Sequence, residues 1–120
     1  MKLVYCLRRL ASLSPQEFLD YWHTNHAPLV RERAAALRIR RYEQSHPVSS
    51  PVAELAATSR GAPEPFDGIA SLWFDSVEDF QAVGATAEGR QAARELLEDE
   101  RRFIDLTRSP IWVVEDLRVV

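Results

Sequence analysis

The chain has 120 residues, 46% hydrophobic and 28% charged, with a net charge of -3. That is enough apolar material for one packed domain, expected over residues 1–120. No basic block exceeds the pairs Arg40-Arg41 and Arg101-Arg102, which excludes nucleic acid as a main partner.

Cys6 is the only cysteine, so neither an internal disulfide framework nor a zinc site of thiolates can form. A buried, inert thiol and a cytoplasmic address are expected. The first strand-like run starts beside Met1, so no secretory leader is expected. No apolar run approaches the ~20 residues of a membrane span.

Residues 2–8, "KLVYCLR", are β-branched and aromatic-rich and predict a strand. Ser14, Pro15 and Glu17 then form a capping box that opens a helix reaching about Leu37. Pro28 predicts a kink or break within it. Residues 38–46 predict a second strand. The connection 47–66 carries four prolines and a short helix through "VAELAATS", capped by Ser50 and ended near Gly61; connections this long are often functional. Residues 67–75 predict a third strand. Ser76 and Asp79 open a short helix stopped at Gly84. A longer helix runs from Thr86 to about Leu106, with Ala92, Leu96, Phe103 and Leu106 on its apolar side and a Glu98–Arg102 pair facing solvent. Pro110 introduces a last strand, "IWVVEDLRVV".

The order βαββαβ predicts an α+β, ferredoxin-like fold: a four-stranded antiparallel sheet with two helices on one face. Three of the four strands are apolar on both faces. Leu3, Tyr5 and Leu7 oppose Val4 and Cys6; Ala70, Leu72 and Phe74 oppose Ile69 and Trp73; Ile111 and Val113 oppose Trp112 and Val114. Two helices cover one face only. The other predicts a homodimer with sheets face to face.

The stretch "YWHTNHAPLV", Tyr21 to Val30, carries the candidate chemistry. On a helical wheel Phe18, Trp22, His26 and Leu29 share one stripe, with Leu19 and Val30 beside it and His23 on the flank. No third ligand accompanies His23 and His26 at metal spacing, and "HTNH" is not a zinc-protease motif, so no metal is expected. His26 is either a buried, hydrogen-bonded helix residue or a neutral general acid or base facing a cavity. The alternation of strand two puts Tyr42, Gln44 and His46 on one face, which suits a pocket wall. His46 and Tyr42 are further catalytic candidates. Tyr21, Trp22, Gln44, Trp73 and Trp112 are candidate substrate contacts. No dinucleotide or phosphate-loop fingerprint is present, so no cofactor is expected.

The segments "SPQEFLDYWHTNHAPLV", "RRYEQSH" and "DGIASLWFDSVEDF" resemble the EthD family of dimeric α+β barrels. The resemblance spans nearly the whole chain and implies the ferredoxin-like fold and the sheet-to-sheet dimer. His26 matches the family's helix histidine, Tyr21-Trp22 its aromatic pair, Tyr42 and His46 its second strand, and Trp73 its Leu-Trp-Phe strand. The activity it implies is that of a cofactor-free oxidoreductase, or a dehydratase or cyclase, on an apolar aromatic or polyketide-like molecule, with His26 as general acid or base. The alternative is a ligand-binding or accessory protein supporting a partner oxygenase.

Overall fold

The computed structural model describes residues 1–120. Four strands, β1 (Lys2–Leu7), β2 (Arg41–Ser45), β3 (Gly68–Trp73) and β4 (Ile111–Val114), form one sheet in the order β2-β3-β1-β4. Every pairing is antiparallel. The helical stretch α1 (Pro15–Tyr21) and α2 (Ala27–Arg33) follows β1, and α5 (Ala87–Glu100) follows β3. The arrangement is ferredoxin-like and α+β, as the order of elements predicts.

Local sequence explains most element ends. The Ser14 side chain accepts from the Glu17 backbone N–H, and the Glu17 carboxylate accepts from the Ser14 N–H, satisfying two donors that a helix start leaves free. Ser50 caps α3 (Pro51–Ser59), which ends near Gly61 at φ +58. Ser76 caps α4 (Val77–Ala82) and Thr86 caps α5.

Three expectations are corrected. First, Pro28 does not break the helix, which ends at Arg33 rather than near Leu37. A wide π turn, Trp22–His26, joins α1 to α2, and the Ala27 N–H reaches back five residues to the Trp22 carbonyl. The wider turn accommodates a residue that cannot donate and whose ring crowds the carbonyl four positions earlier. Second, α5 ends at Glu100 rather than near Leu106. Leu10 donates to the Phe103 carbonyl and Asp105 to the Arg8 carbonyl, so extended pairing beyond β1 takes the backbone that a longer helix would need. Arg102 accordingly pairs with Asp99 at 3.3 Å instead of with Glu98. Third, β4 stops at Val114, and residues 115–120 lie outside the ladder.

The wide turn also sets phase. Phe18, Trp22, His26 and Val30 are all buried, at a uniform spacing of four. In a regular α-helix such a row drifts by roughly 40° per step. The underwound turn takes up part of that drift, so Val30, not Leu29, continues the stripe. Phe18 and Trp22 join Leu7, Ala70, Phe103 and Ile104 in the core between helices and sheet. The Trp22 ring lies against Gly68, where a Cβ would stand 2.4 Å from an indole carbon.

The register puts Leu3, Tyr5, Leu7, Ala70, Leu72 and Tyr42 on the helix side of the sheet. Val4, Ile69, Trp73, Trp112 and Val114 lie on the other. No helix covers that second face, and Trp112 is 46% exposed.

Candidate functional site

A cavity of about 550 Å³ opens between the sheet and the two helical stretches. Aliphatic and aromatic side chains form most of its wall, among them Leu3, Leu7, Val30, Leu72, Phe74 and Leu96. The groups able to exchange protons there are His26, Tyr5, Tyr42 and Glu100, with Arg90 and Arg94 also on the lining.

His26 is 5% exposed, and its Nδ1 lies 2.7 Å from Asp99 Oδ2. The Asp99 carboxyl is held below the usual carboxylate range. Its own burial opposes ionisation, and the hydrogen bonds from Tyr21 and His26 overcome it. An ionised carboxylate only accepts, so His26 Nδ1 carries the proton and donates it to Asp99. Nε2 is then the bare nitrogen. It has no partner in the chain and is not among the fully buried polar atoms, which leaves it for the cavity that His26 lines. Burial lowers the His26 pKa below its ordinary value, and Asp99 opposes that shift without reversing it. The ring is therefore neutral near pH 7, with Nε2 free to take a proton.

Tyr21 donates its hydroxyl to the other Asp99 oxygen at 2.6 Å, and Arg102 adds a contact at 3.3 Å. The Tyr21 ring packs on Phe103 and does not line the cavity. Tyr21 is thus hydrogen-bonded to Asp99 and stands off the cavity.

Tyr42 is the second polar feature. Its oxygen accepts from Trp22 Nε1 at 3.0 Å and from Gln44 Nε2 at 3.1 Å. Two donors occupy the oxygen's lone pairs, so its own hydrogen is directed elsewhere, and Tyr42 borders the cavity. Burial, the largest influence, pushes its pKa to about 12, so Tyr42 stays a donor at any working pH. Gln44 also donates to the Trp22 carbonyl at 3.0 Å, which fixes its amide so that Oε1 accepts from His46 Nε2 at 2.9 Å.

The structure separates the remaining candidates from this cavity. His46 stacks on Trp22, with ring centroids 4.9 Å apart, and with Gln44 and His23 it lines a second groove beside β2. Trp73 and Trp112 lie on the opposite sheet face, because alternation along β3 and β4 turns them away from the helices. Neither borders the cavity. Trp73 instead sits beneath Lys2 and Arg41, both within 5.1 Å of its ring. No group of three or more His, Cys, Asp or Glu residues is arranged to hold a metal ion.

Asp99, Glu100 and Tyr5 escaped the sequence reading. A signal for Asp99 was present: the spacing Ala92, Leu96, Asp99, Phe103 puts an acid on the buried stripe of α5. Glu100 follows Leu96 by four and shares its cavity wall. Burial, with Asp99 adding repulsion, pushes the Glu100 carboxyl up to about 7, while the Tyr5 hydroxyl beside it pulls the other way.

Residues 10–107 match the family model of the EthD domain. The chain belongs to the EthD family. Among solved structures it is similar to an ethyl tert-butyl ether D (EthD) family protein from Bacillus halodurans C-125, at 21% identity over 97% of both chains and a TM-score of 0.62. It is also similar to an EthD-like protein from Ralstonia eutropha JMP134, at 20% identity over 96% of this chain and 94% of that one, TM-score 0.52. A dimeric protein of unknown function with a ferredoxin-like fold from Bacteroides fragilis NCTC 9343 aligns at 12% identity over 92% and 90% of the chains, TM-score 0.56. At these identities the likeness is one of fold. No curated protein matches the chain. Within the EthD domain as it occurs here, the segment 10–107 supplies His26, Tyr42, Asp99 and Glu100, and β1, which precedes it, supplies Tyr5.

Proposed function

We propose that this EthD-family chain is a small-molecule enzyme in which His26 is the general base and Asp99 holds it in the working tautomer. The observation that carries the proposal is the 2.7 Å contact by which Asp99 holds His26 at the wall of an apolar cavity. A pocket that only stored a ligand has no need of a histidine held neutral with one nitrogen bare, so the pair favours turnover over the accessory-protein alternative.

The chemistry follows from the geometry. Nε2 takes a proton from a carbon or hydroxyl next to a substrate carbonyl, and Asp99 stabilises the imidazolium that results. The free hydrogen of Tyr42 meets the negative charge that develops on the substrate oxygen. The aliphatic walls favour an apolar, aromatic or polyketide-like substrate and exclude water. The first step is shared by several outcomes. Reaction of the resulting carbanion with oxygen makes an oxidoreductase, whereas loss of water or ring closure makes a dehydratase or cyclase. These residues call for no cofactor in that step.

The uncovered sheet face supports a homodimer, with Trp73, Trp112, Val4 and Ile69 meeting their counterparts in a second copy. The free thiol of Cys6 suits the reducing cytoplasm, the address proposed for the chain.

The test uses 2-tetralone, an apolar aromatic ketone. Wild-type protein should accelerate exchange of its α-hydrogens for deuterium in heavy water. His26→Ala should lower that rate by roughly 10²–10⁴-fold with affinity little changed. A His26→Ala rate equal to wild type would remove His26 as the base.

A further inference from the structure

Glu100 and Tyr5 are left over once the base and the oxyanion donor have been assigned. Glu100 closes the C-terminal end of α5 and lines the same cavity as His26. A carboxylate there faces the negative end of the helix dipole and the adjacent Asp99. Tyr5 from β1 and Tyr42 from β2 are close enough to act on it, Asp99 precedes it, and His26 from the wide turn and Arg90 and Arg94 from its own helix share the cavity lining. Glu100 forms no ion pair with either arginine: Arg90 is engaged with the Gly84 carbonyl and Arg94 with Gln91. A half-buried carboxyl with no cation to neutralise it is disposed to keep its proton.

Resting on the reading of His26 as base, we propose that Glu100 is the site's general acid, a catalytic residue that delivers a proton to the substrate oxygen while His26 removes one from carbon, and that Tyr5 tunes it. The substrate class this pair fits is a neutral carbonyl compound able to enolise. In that step His26 Nε2 takes the α-hydrogen. The C–H electron pair becomes the new carbon–carbon double bond, the carbonyl π pair moves to oxygen, and that oxygen takes the Glu100 proton. The result is an enol, an imidazolium and a carboxylate, and the reverse step restores both groups. No oxidant or reductant enters.

The pair dictates a bell-shaped pH profile. His26 must be neutral, so the rate rises with pH through a value below the ordinary histidine range. Glu100 must be protonated, so the rate falls as pH rises through about 7. The Tyr5 hydroxyl favours the charged form of Glu100, so its removal moves the falling limb to higher pH.

Deuterium exchange into 2-tetralone is measured against pH for wild type, Glu100→Gln, Tyr5→Phe and His26→Ala, each checked for folding by thermal melt. Glu100→Gln should lose roughly 10²-fold at the optimum together with the falling limb. Tyr5→Phe should keep the limb and shift it upward. A Glu100→Gln variant with the wild-type rate and profile, or a Tyr5→Phe limb that stays in place, overturns Glu100 as the acid and leaves His26 as base untouched. Wild-type exchange no faster than that of His26→Ala overturns both assignments. Should Glu100→Gln fail to fold, the Tyr5→Phe shift decides alone.

Discussion

Asp99 holds His26 with one carboxylate oxygen and Tyr21 with the other, so a single side chain controls the orientation and the basicity of the proposed base. Asp99→Asn should lower exchange into 2-tetralone by roughly 10²–10⁴-fold. Its effect on pH is distinctive. Asp99 raises the pKa of His26 and also that of Glu100, so its neutralisation should move both limbs of the profile to lower pH. A change in rate with both limbs fixed would contradict this coupling. Glu100 also bears on stability. Its folded pKa, about 7, lies above the ordinary carboxylate value. The stability it contributes is therefore complete below the unfolded pKa and is lost as pH rises toward 7. Glu100→Gln should stabilise the protein at pH 8 by about 1–3 kcal/mol and change little at pH 4, read from thermal melts. His26, Tyr42 and Trp22 could be found from periodicity because each stands on an element whose phase the sequence displays. Asp99 and Glu100 sit within "ELLEDERR", where four of eight residues are acids and solvation accounts for any of them. Tyr21 and His26 single out Asp99, and Tyr5 of β1 and Tyr42 of β2 single out Glu100; contact between distant elements leaves no local trace.

Among elements, the wide turn and β3 depend on each other. The π turn keeps Trp22 and His26 on one stripe, and Gly68 makes the room in which the Trp22 ring lies. Gly68→Ala introduces a methyl group where no space exists, and Trp22, held by its hydrogen bond to Tyr42, has little freedom to retreat. The variant should lose about 1–3 kcal/mol in denaturant unfolding, with a shift in tryptophan emission. An unaltered midpoint would show that the indole moves aside freely. Strand and helix existence was plain from capping residues and alternation, down to the caps Ser14, Ser50 and Ser76. Of the ends that were misplaced, at Arg33, Glu100 and Val114, the one at Glu100 is set by tertiary competition. The turn before Pro28 widens for a local reason, the ring and missing N–H of that proline, whereas α5 stops because the chain beyond β1 claims its backbone.

At the scale of the whole molecule, the sheet has one face under helices and one face bare. Trp73 and Trp112, expected as substrate contacts, lie with Val4 and Ile69 on the bare face opposite the cavity, the face proposed for association. The alternation that marked both faces as apolar was visible in the sequence; which face the helices choose was not, and with it went the placement of Trp73 and Trp112. Sedimentation should report a dimer at micromolar concentration, and Trp112→Glu should shift it toward monomer without abolishing exchange into 2-tetralone. A wild-type monomer would contradict the packing argument. The bare, neutral Nε2 proposed to face the cavity is read out by nitrogen-15 NMR of the His26 imidazole across pH. A proton fixed on Nδ1, a pKa below the ordinary histidine value, and a change at Nε2 when 2-tetralone is added are expected. A proton on Nε2, or a ring that is already charged at neutral pH, would contradict His26 as the base.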